Sequence, residues 1–407
     1  MADTTKNIWK DEDGAREAPR KRRFPRGLLL FALVLLVVLG VVFAAAWRGG
    51  TGWDALQRYF SYGKSGTASG TTVYEYDVSS QNHFALLGDR LAVASDTELR
   101  LLDPEGGEVW SRTALLGAPA VARGGGRAAI YGVGSGSLYL LDQTGELLCL
   151  TADEEEPFLS ATLNDSGWLA VTAEKSGYKG CVRVYDAGQK EVFHLDSASR
   201  FVLDAYVTED NKTLAVVLLG QEEGDFVSNV VLYPLSADGG TRETDGGIAV
   251  EPLADHDVTG GLVMAIGQQG DRIVTVTDTC LTSADLKGNV TAQLSFGGAF
   301  LRGFSLDGDG FTALLLNQYQ SGSVGRLVTV DKDGQELGTL EVDREMLDLS
   351  AAGRYLAVLY ADSLVIYNPQ LEVYASLQGT DSASGVLMRP DGSALLLSSG
   401  SAGLFLP

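Results

Sequence analysis

Apolar and polar positions alternate in short runs along most of the chain, and the runs repeat. Apolar stretches of about five residues begin at Leu91, Ala128, Leu169, Leu214, Ile273, Thr312, Leu356 and Ala394, at intervals of 37 to 59 residues. Many are entered through polar turns such as Asp165-Ser166-Gly167, Gly270-Asp271 or Pro390-Asp391-Gly392. Asp and Gly suit hairpins because they tolerate positive φ. A short strand, a Gly-containing turn and another strand then come next, as in residues 98–110, 137–150, 182–195, 326–340 and 363–377. No unit keeps apolar residues at helical spacing over about ten positions, which excludes helical solenoids. Each unit therefore predicts a four-stranded antiparallel sheet of about 40 residues, one blade of a β-propeller.

Eight such anchors predict an all-β, eight-bladed propeller over residues 71–407, at about 42 residues per blade. After the last anchor only three strands remain. The fourth is expected from Thr71–Val78, so that the two ends of the domain pair and close the ring. Seven blades is the alternative, if the irregular stretch between Leu214 and Ile273 is an insertion.

The pattern changes at the N-terminus. Leu28 to Trp47 carries no charge, and as a helix it would be about 30 Å long, the thickness of a bilayer core. Leu28, Phe31, Leu36, Phe43 and Trp47 are expected to face lipid. Arg20, Lys21, Arg22, Arg23 and Arg26 stand just before this run. Such a basic cluster holds the N-terminus in the cytoplasm and sends the chain beyond the helix outside. The competing reading is a cleaved signal peptide ending at Ala44-Ala45-Ala46, but the apolar run exceeds the usual length of such a core. The expected organisation is a basic tail over 1–27, a transmembrane helix over 28–47, a juxtamembrane helix and linker over 48–70, and the propeller over 71–407. The net charge of −22 excludes nucleic acid as a partner. The 50 glycines fit a fold rich in tight turns.

Leu102-Asp103-Pro104-Glu105-Gly106-Gly107-Glu108-Val109-Trp110 resembles the tryptophan-docking repeat of quinoprotein-like propellers, as does Leu141-Asp142-Gln143-Thr144-Gly145-Glu146. Arg389-Pro390-Asp391-Gly392 is similar to blade entries of WD-repeat-like propellers. With its basic tail and single anchor, the chain resembles membrane-anchored bacterial propellers that have no assigned activity to carry over. The resemblance implies a fold rather than a reaction. Only Trp110 occupies the docking position, with Cys149, Phe193 or Tyr374 expected there in other units, and no Trp-Asp pair ends a blade.

Candidate chemistry is sparse. Cys149, Cys181 and Cys280 fall in three different blades without CxxC spacing, and whether Cys149 and Cys181 pair stays open. His83, His194 and His256 are isolated, which leaves little material for zinc or for a Ser-His-Asp triad. Gly63-Lys64-Ser65 lacks the preceding glycine of a P-loop, and Gly132–Gly136 is followed by a strand, so neither predicts a phosphate site. Asp331–Gly334 and Asp307–Gly310 copy fragments of calcium loops but read better as hairpin turns. Asp153–Glu156 reads as a solvated acidic run. No catalytic, cofactor or metal residues are therefore assigned.

The stretches Gly220–Asn229 and Ser236–His256 lengthen the fourth unit. Long loops on rigid scaffolds often bind partners, so Glu222, Glu223, Asp225 and Phe226 are the candidate contact loop. The expected role is a membrane-anchored, extracytoplasmic scaffold for a protein or an envelope polymer. The rivals are a quinoprotein-like or hydrolytic enzyme whose carboxylates meet only in three dimensions, and a ligand sensor.

Overall fold

The computed structural model describes residues 71–407 apart from 79–81, 154, 223, 236–240 and 245–246; in the first seventy residues it describes 35–38, 54 and 58. The chain divides into two units, 1–61 and 62–407. In the first unit residues 35–38 are helical with exposed side chains. No helix among the described residues is long and apolar enough to cross a membrane. Arg20, Lys21, Arg22, Arg23, Arg26, Leu28, Phe31, Phe43 and Trp47 lie outside the described residues, as does Gly63-Lys64-Ser65.

In the second unit, four-stranded antiparallel sheets succeed one another: residues 83–113, 119–151, 158–196, 201–258, 263–295, 300–342, 346–378, and finally 385–405 joined by Thr71–Glu75. We number these blades 1 to 8. The eight anchor runs each form the second strand of their blade. They are nearly fully buried because both faces of that strand meet a neighbouring blade. Seven blades is thereby overturned. The stretch between Leu214 and Ile273 supplies one blade and a two-stranded extra, Thr241–Thr244 with Gly247–Val250, between its third and fourth strands.

Blade 8 closes as the strand count required. Thr71–Glu75 pairs antiparallel with Ser401–Phe405 as the outermost strand. The Tyr76 hydroxyl donates to the carbonyls of Ser398 and Ser401, each at 2.7 Å, and the Tyr74 hydroxyl donates to Asp89 of blade 1, also at 2.7 Å. Tyr74, Leu91, Val93, Leu395 and Leu397 then share one cluster across the junction of blades 8 and 1. Seven further clusters separate the other neighbouring blades. Leu91, Leu99, Leu214 and Leu356 are wholly buried; each such leucine contributes about 2 kcal/mol relative to exposure.

The docking repeat of the sequence is real in blade 1. A Cβ built on Gly145, whose φ is +128°, would stand 3.2 Å from Trp110 Cδ1, so the indole rests against the turn of blade 2. Elsewhere the register corrects the expectation. The pairing of third and fourth strands places Leu148, Phe193 and Ala375 opposite Leu140, Val184 and Ile366, so Cys149 and Tyr374 sit one position away. Tyr374 packs instead on Tyr355, with ring centroids 4.8 Å apart.

Candidate functional site

The up-and-down order of each blade divides its connections between two ends of the disc. Turns between strands one and two, and between three and four, emerge at one end, here the hairpin end. Turns between strands two and three, and the links from blade to blade, emerge at the other, the crossing end.

The hairpin end is stitched by side chains. Asp103, Asp186, Asp285, Asp331 and Asn368 each accept backbone N–H groups from residues two and four positions on. This is the Asx-turn chemistry that keeps a short connection closed. It accounts for Asp331–Gly334 without calcium; Asp333 also pairs with Arg272 at 3.3 Å, and Lys332 with Asp271 at 2.5 Å. Asn164 Nδ2 donates to Asn211 Oδ1 at 2.7 Å, tying blade 3 to blade 4. Arg123 Nη2 lies 3.3 Å from Asp307 Oδ2. These residues belong to the first strands of blades 2 and 6, which stand opposite in a ring of eight, so this ion pair crosses the central axis.

First strands of neighbouring blades touch one another and line that axis. The strand register places His83, Ala120, Ser160, Asp204, Ala265, Gly303, Asp348 and Gly385 at one level, each three residues along from its blade's anchor across the first pairing. In blades 3 to 7 the preceding residue is bulged. Asp204 accepts from the Ser160 hydroxyl at 2.6 Å and from the Ala205 amide at 2.9 Å. Burial pushes its carboxyl up to about 6, against the pull of those two donors. Burial also raises Asp348, opposed by the amides of Val386 and Leu349 and by Arg123 across the axis.

The crossing end has another character. Leu115, Phe201, Leu262, Met264, Phe300 and Leu347 stand exposed in the blade links and at the starts of the first strands. Met264 and Leu347 are bulged residues, re-aimed by the extra residue in their strands. Farther out, Phe226 is 75% exposed and Tyr319 60%. A cavity of about 370 Å³ lies beside Tyr319, between blades 6 and 7, lined by Arg302, Asn317, Arg344 and Glu345 among others. Among the described propeller residues, the exposed large apolar side chains away from this end are Val109, Val192, Leu253, Val290 and Val373. Every exposed aromatic of that set is at the crossing end.

Phe226 lies not in a loop, as the sequence suggests, but on a long hairpin. Thr213–Glu222 pairs with Asp225–Pro234, unbroken out to Glu222 opposite Asp225. Asp225 is exposed beside Phe226, and Glu223 lies outside the described residues. Phe226, Val227, Val230, Val231 and Tyr233 are strand-favouring residues, a signal that could have identified the hairpin. The rim of Leu115, Met264, Phe300 and Leu347 carried no such signal, since single apolar residues near turns are ordinary.

The remaining expectations resolve locally. All three cysteines are free thiols. Gly132–Gly136 is a turn, and no side chain fits at Gly132, where a Cβ would lie 1.7 Å from the Leu116 carbonyl oxygen. Glu156 is not merely part of a solvated run, since it pairs with Lys175 at 3.2 Å. His256 is buried, which lowers its basicity. Among the described residues, Cys181, His194 and Asp196 form the group able to hold a metal ion.

This architecture is an eight-bladed β-propeller. Structures of similar fold include BamB from Moraxella catarrhalis, 15% identical with a TM-score of 0.50, covering 82% of this chain and 98% of that one. The C-terminal WD40 domain of Sif2 is 13% identical with a TM-score of 0.56, over 83% and 98%. The quinohemoprotein alcohol dehydrogenase ADHIIG from Pseudomonas putida HK5 is 9% identical with a TM-score of 0.50, over 82% and 75%. The likeness to quinoprotein and WD-repeat propellers expected from short motifs thus holds for the fold. The chain belongs to the family of unknown function DUF5711, whose model matches residues 64–373. No curated protein matches it.

Proposed function

We propose that this protein works by binding rather than by catalysis: a rigid propeller that presents its crossing end to an apolar surface of another protein. One observation carries this reading, the gathering of exposed aromatic and aliphatic side chains at one end of the disc. Monomeric surfaces rarely collect such residues on one side without a partner. Aromatic anchors dominate the energy of interfaces, so Phe226 and Tyr319 are the first contacts to name. The Arg123–Asp307 pair spanning the axis supports a role at the rim rather than in a through-channel.

The setting is proposed from the N-terminal pattern: residues 28–47 anchor the chain in a membrane, and Arg20 to Arg26 keep the N-terminus cytoplasmic, so that the propeller works outside. A C-terminal alkaline phosphatase fusion should then be active, and a fluorescent fusion that folds only in the cytosol should be dark. Photo-crosslinkable residues at Phe226 and Tyr319 should yield one discrete adduct in cells, and the same probes at Val290 and Val373 none. Equal labelling from all four positions would sink the binding-face reading.

A further inference from the structure

Blade 3 carries a second feature at the same crossing end, beside the link that leads to Phe201. Its third strand, Cys181–Tyr185, pairs with its fourth, Glu191–Asp196, so that Cys181 faces Asp196 and Arg183 faces His194. Side chains on one strand alternate faces, so His194 and Asp196 share a face. Cys181, paired directly with Asp196, projects on that same side. The Cys181 thiol, a histidine nitrogen and a carboxylate oxygen all lie within 4.8 Å of one another. His194 Nε2 points at Asp196 Oδ1 over 2.7 Å, while Nδ1 is turned toward Glu191 Oε1 at 3.8 Å.

From this arrangement we propose that Cys181, His194 and Asp196 form a binding site for a divalent transition-metal ion of the zinc and cobalt type. One sulfur, one imidazole and one carboxylate make a borderline-soft donor set that suits such ions and not calcium or magnesium. A thiolate and a carboxylate supply two negative charges to a doubly charged cation, with neutral imidazole as third ligand. Glu191 stands where a carboxylate orients a metal-bound histidine through its other nitrogen. Cys181 also borders a cavity of about 130 Å³ between blades 2 and 3, whose lining includes Glu156 and Arg183. The nearby Lys175 is already paired with Glu156. Ligand atoms around one tetrahedral ion stand about 3.3 Å or more apart, so binding opens the 2.7 Å hydrogen bond between His194 and Asp196 while the paired strands hold the three backbones in place.

The test is titration of the full-length protein with Co²⁺ alone, followed in the near ultraviolet for a thiolate-to-cobalt charge-transfer band. One equivalent should bind with that band, and Zn²⁺ should displace it. Cys181→Ser should abolish the band, while Cys149→Ser and Cys280→Ser leave it. Because Cys181 is buried and its variant could misfold, the half-buried ligands give an independent arm. His194→Gln and Asp196→Asn should each weaken Co²⁺ binding by about 10-fold or more with unchanged circular dichroism. A titration without the band, or a band that survives both His194→Gln and Asp196→Asn, would overturn the proposal.

Discussion

The two ends of the propeller are made by the same strands and end in different surfaces. At the hairpin end, Asp103, Asp186, Asp285 and Asp331 spend their oxygens on their own turns, and Arg123 reaches across the axis to Asp307. Polar groups there are committed to construction. At the crossing end the turns between second and third strands carry Phe226 and Tyr319 into solvent, Phe300 and Met264 stand exposed at the starts of first strands, and bulges there turn side chains outward. The lesson is that the third-to-fourth turns of the hairpin end close on their own side chains, whereas the crossing end combines second-to-third turns with links that have only a span to cover. The second constraint is looser, and it is at that end that surface chemistry is free to vary.

That contrast can be broken or sharpened experimentally, beginning with the scaffold both ends share. Phe311 is wholly buried between blades 6 and 7; Phe311→Ala should destabilise by about 4 kcal/mol in urea unfolding. A loss well under half of that would mean the blades pack loosely. Next comes the indole dock at the hairpin end. Gly145→Val puts a side chain at φ +128° and against Trp110, and a midpoint shift worth about 2 kcal/mol is expected. An unchanged midpoint would show that Trp110 does not hold blade 1 to blade 2.

The axis gives a pH test. Asp204 titrates near 6 in the folded protein, above its unfolded-state value, so the native state binds the proton more tightly. Its contribution is complete below the ordinary carboxylate range and is lost as pH rises toward about 6. Asp204→Asn should flatten the fall in stability between about pH 4 and 6.5 by about 2 kcal/mol. An identical pH profile in the variant would remove Asp204 as the cause. At the crossing end, Phe226→Asp with Tyr319→Asp should weaken partner capture by about 10-fold or more while stability moves by under about 0.5 kcal/mol. The smallest effect is expected from Val290→Ser and Val373→Ser on the outer strands, within about 0.5 kcal/mol and without change in capture. If these weaken capture as much, the two ends do not differ in function.

The blade repeat was legible because a buried second strand writes the same short apolar run eight times, from Leu91 to Ala394. The closing strand came from counting, since three strands after the last anchor leave the eighth blade one short of four. The Trp110 dock was legible too, but not its relatives. The same bulge follows Leu101, Leu140 and Ile366, while the turn of blade 2, with Leu141 opposite Glu146, is one residue shorter than that of blade 1, with Leu102 opposite Glu108. Such shifts have no sequence mark of their own. The exposed rim was missed for a related reason. An isolated Leu115 or Met264 says nothing until eight links converge on one end. His194 looked isolated because its neighbour in space, Cys181, is thirteen positions away across a hairpin.

What the sequence determined alone is therefore local and periodic: strand, turn, the repeating blade unit, and the apolar run at Leu28–Trp47. Tertiary structure decided which side chains meet: Arg123 with Asp307 across the axis, Cys181 with His194 and Asp196 across a hairpin, and the apolar residues gathered at one end. Periodicity reports how each residue meets the strand it belongs to. Proximity between strands depends on register and ring closure, which are set by the sum of many weak contacts and written in no single segment.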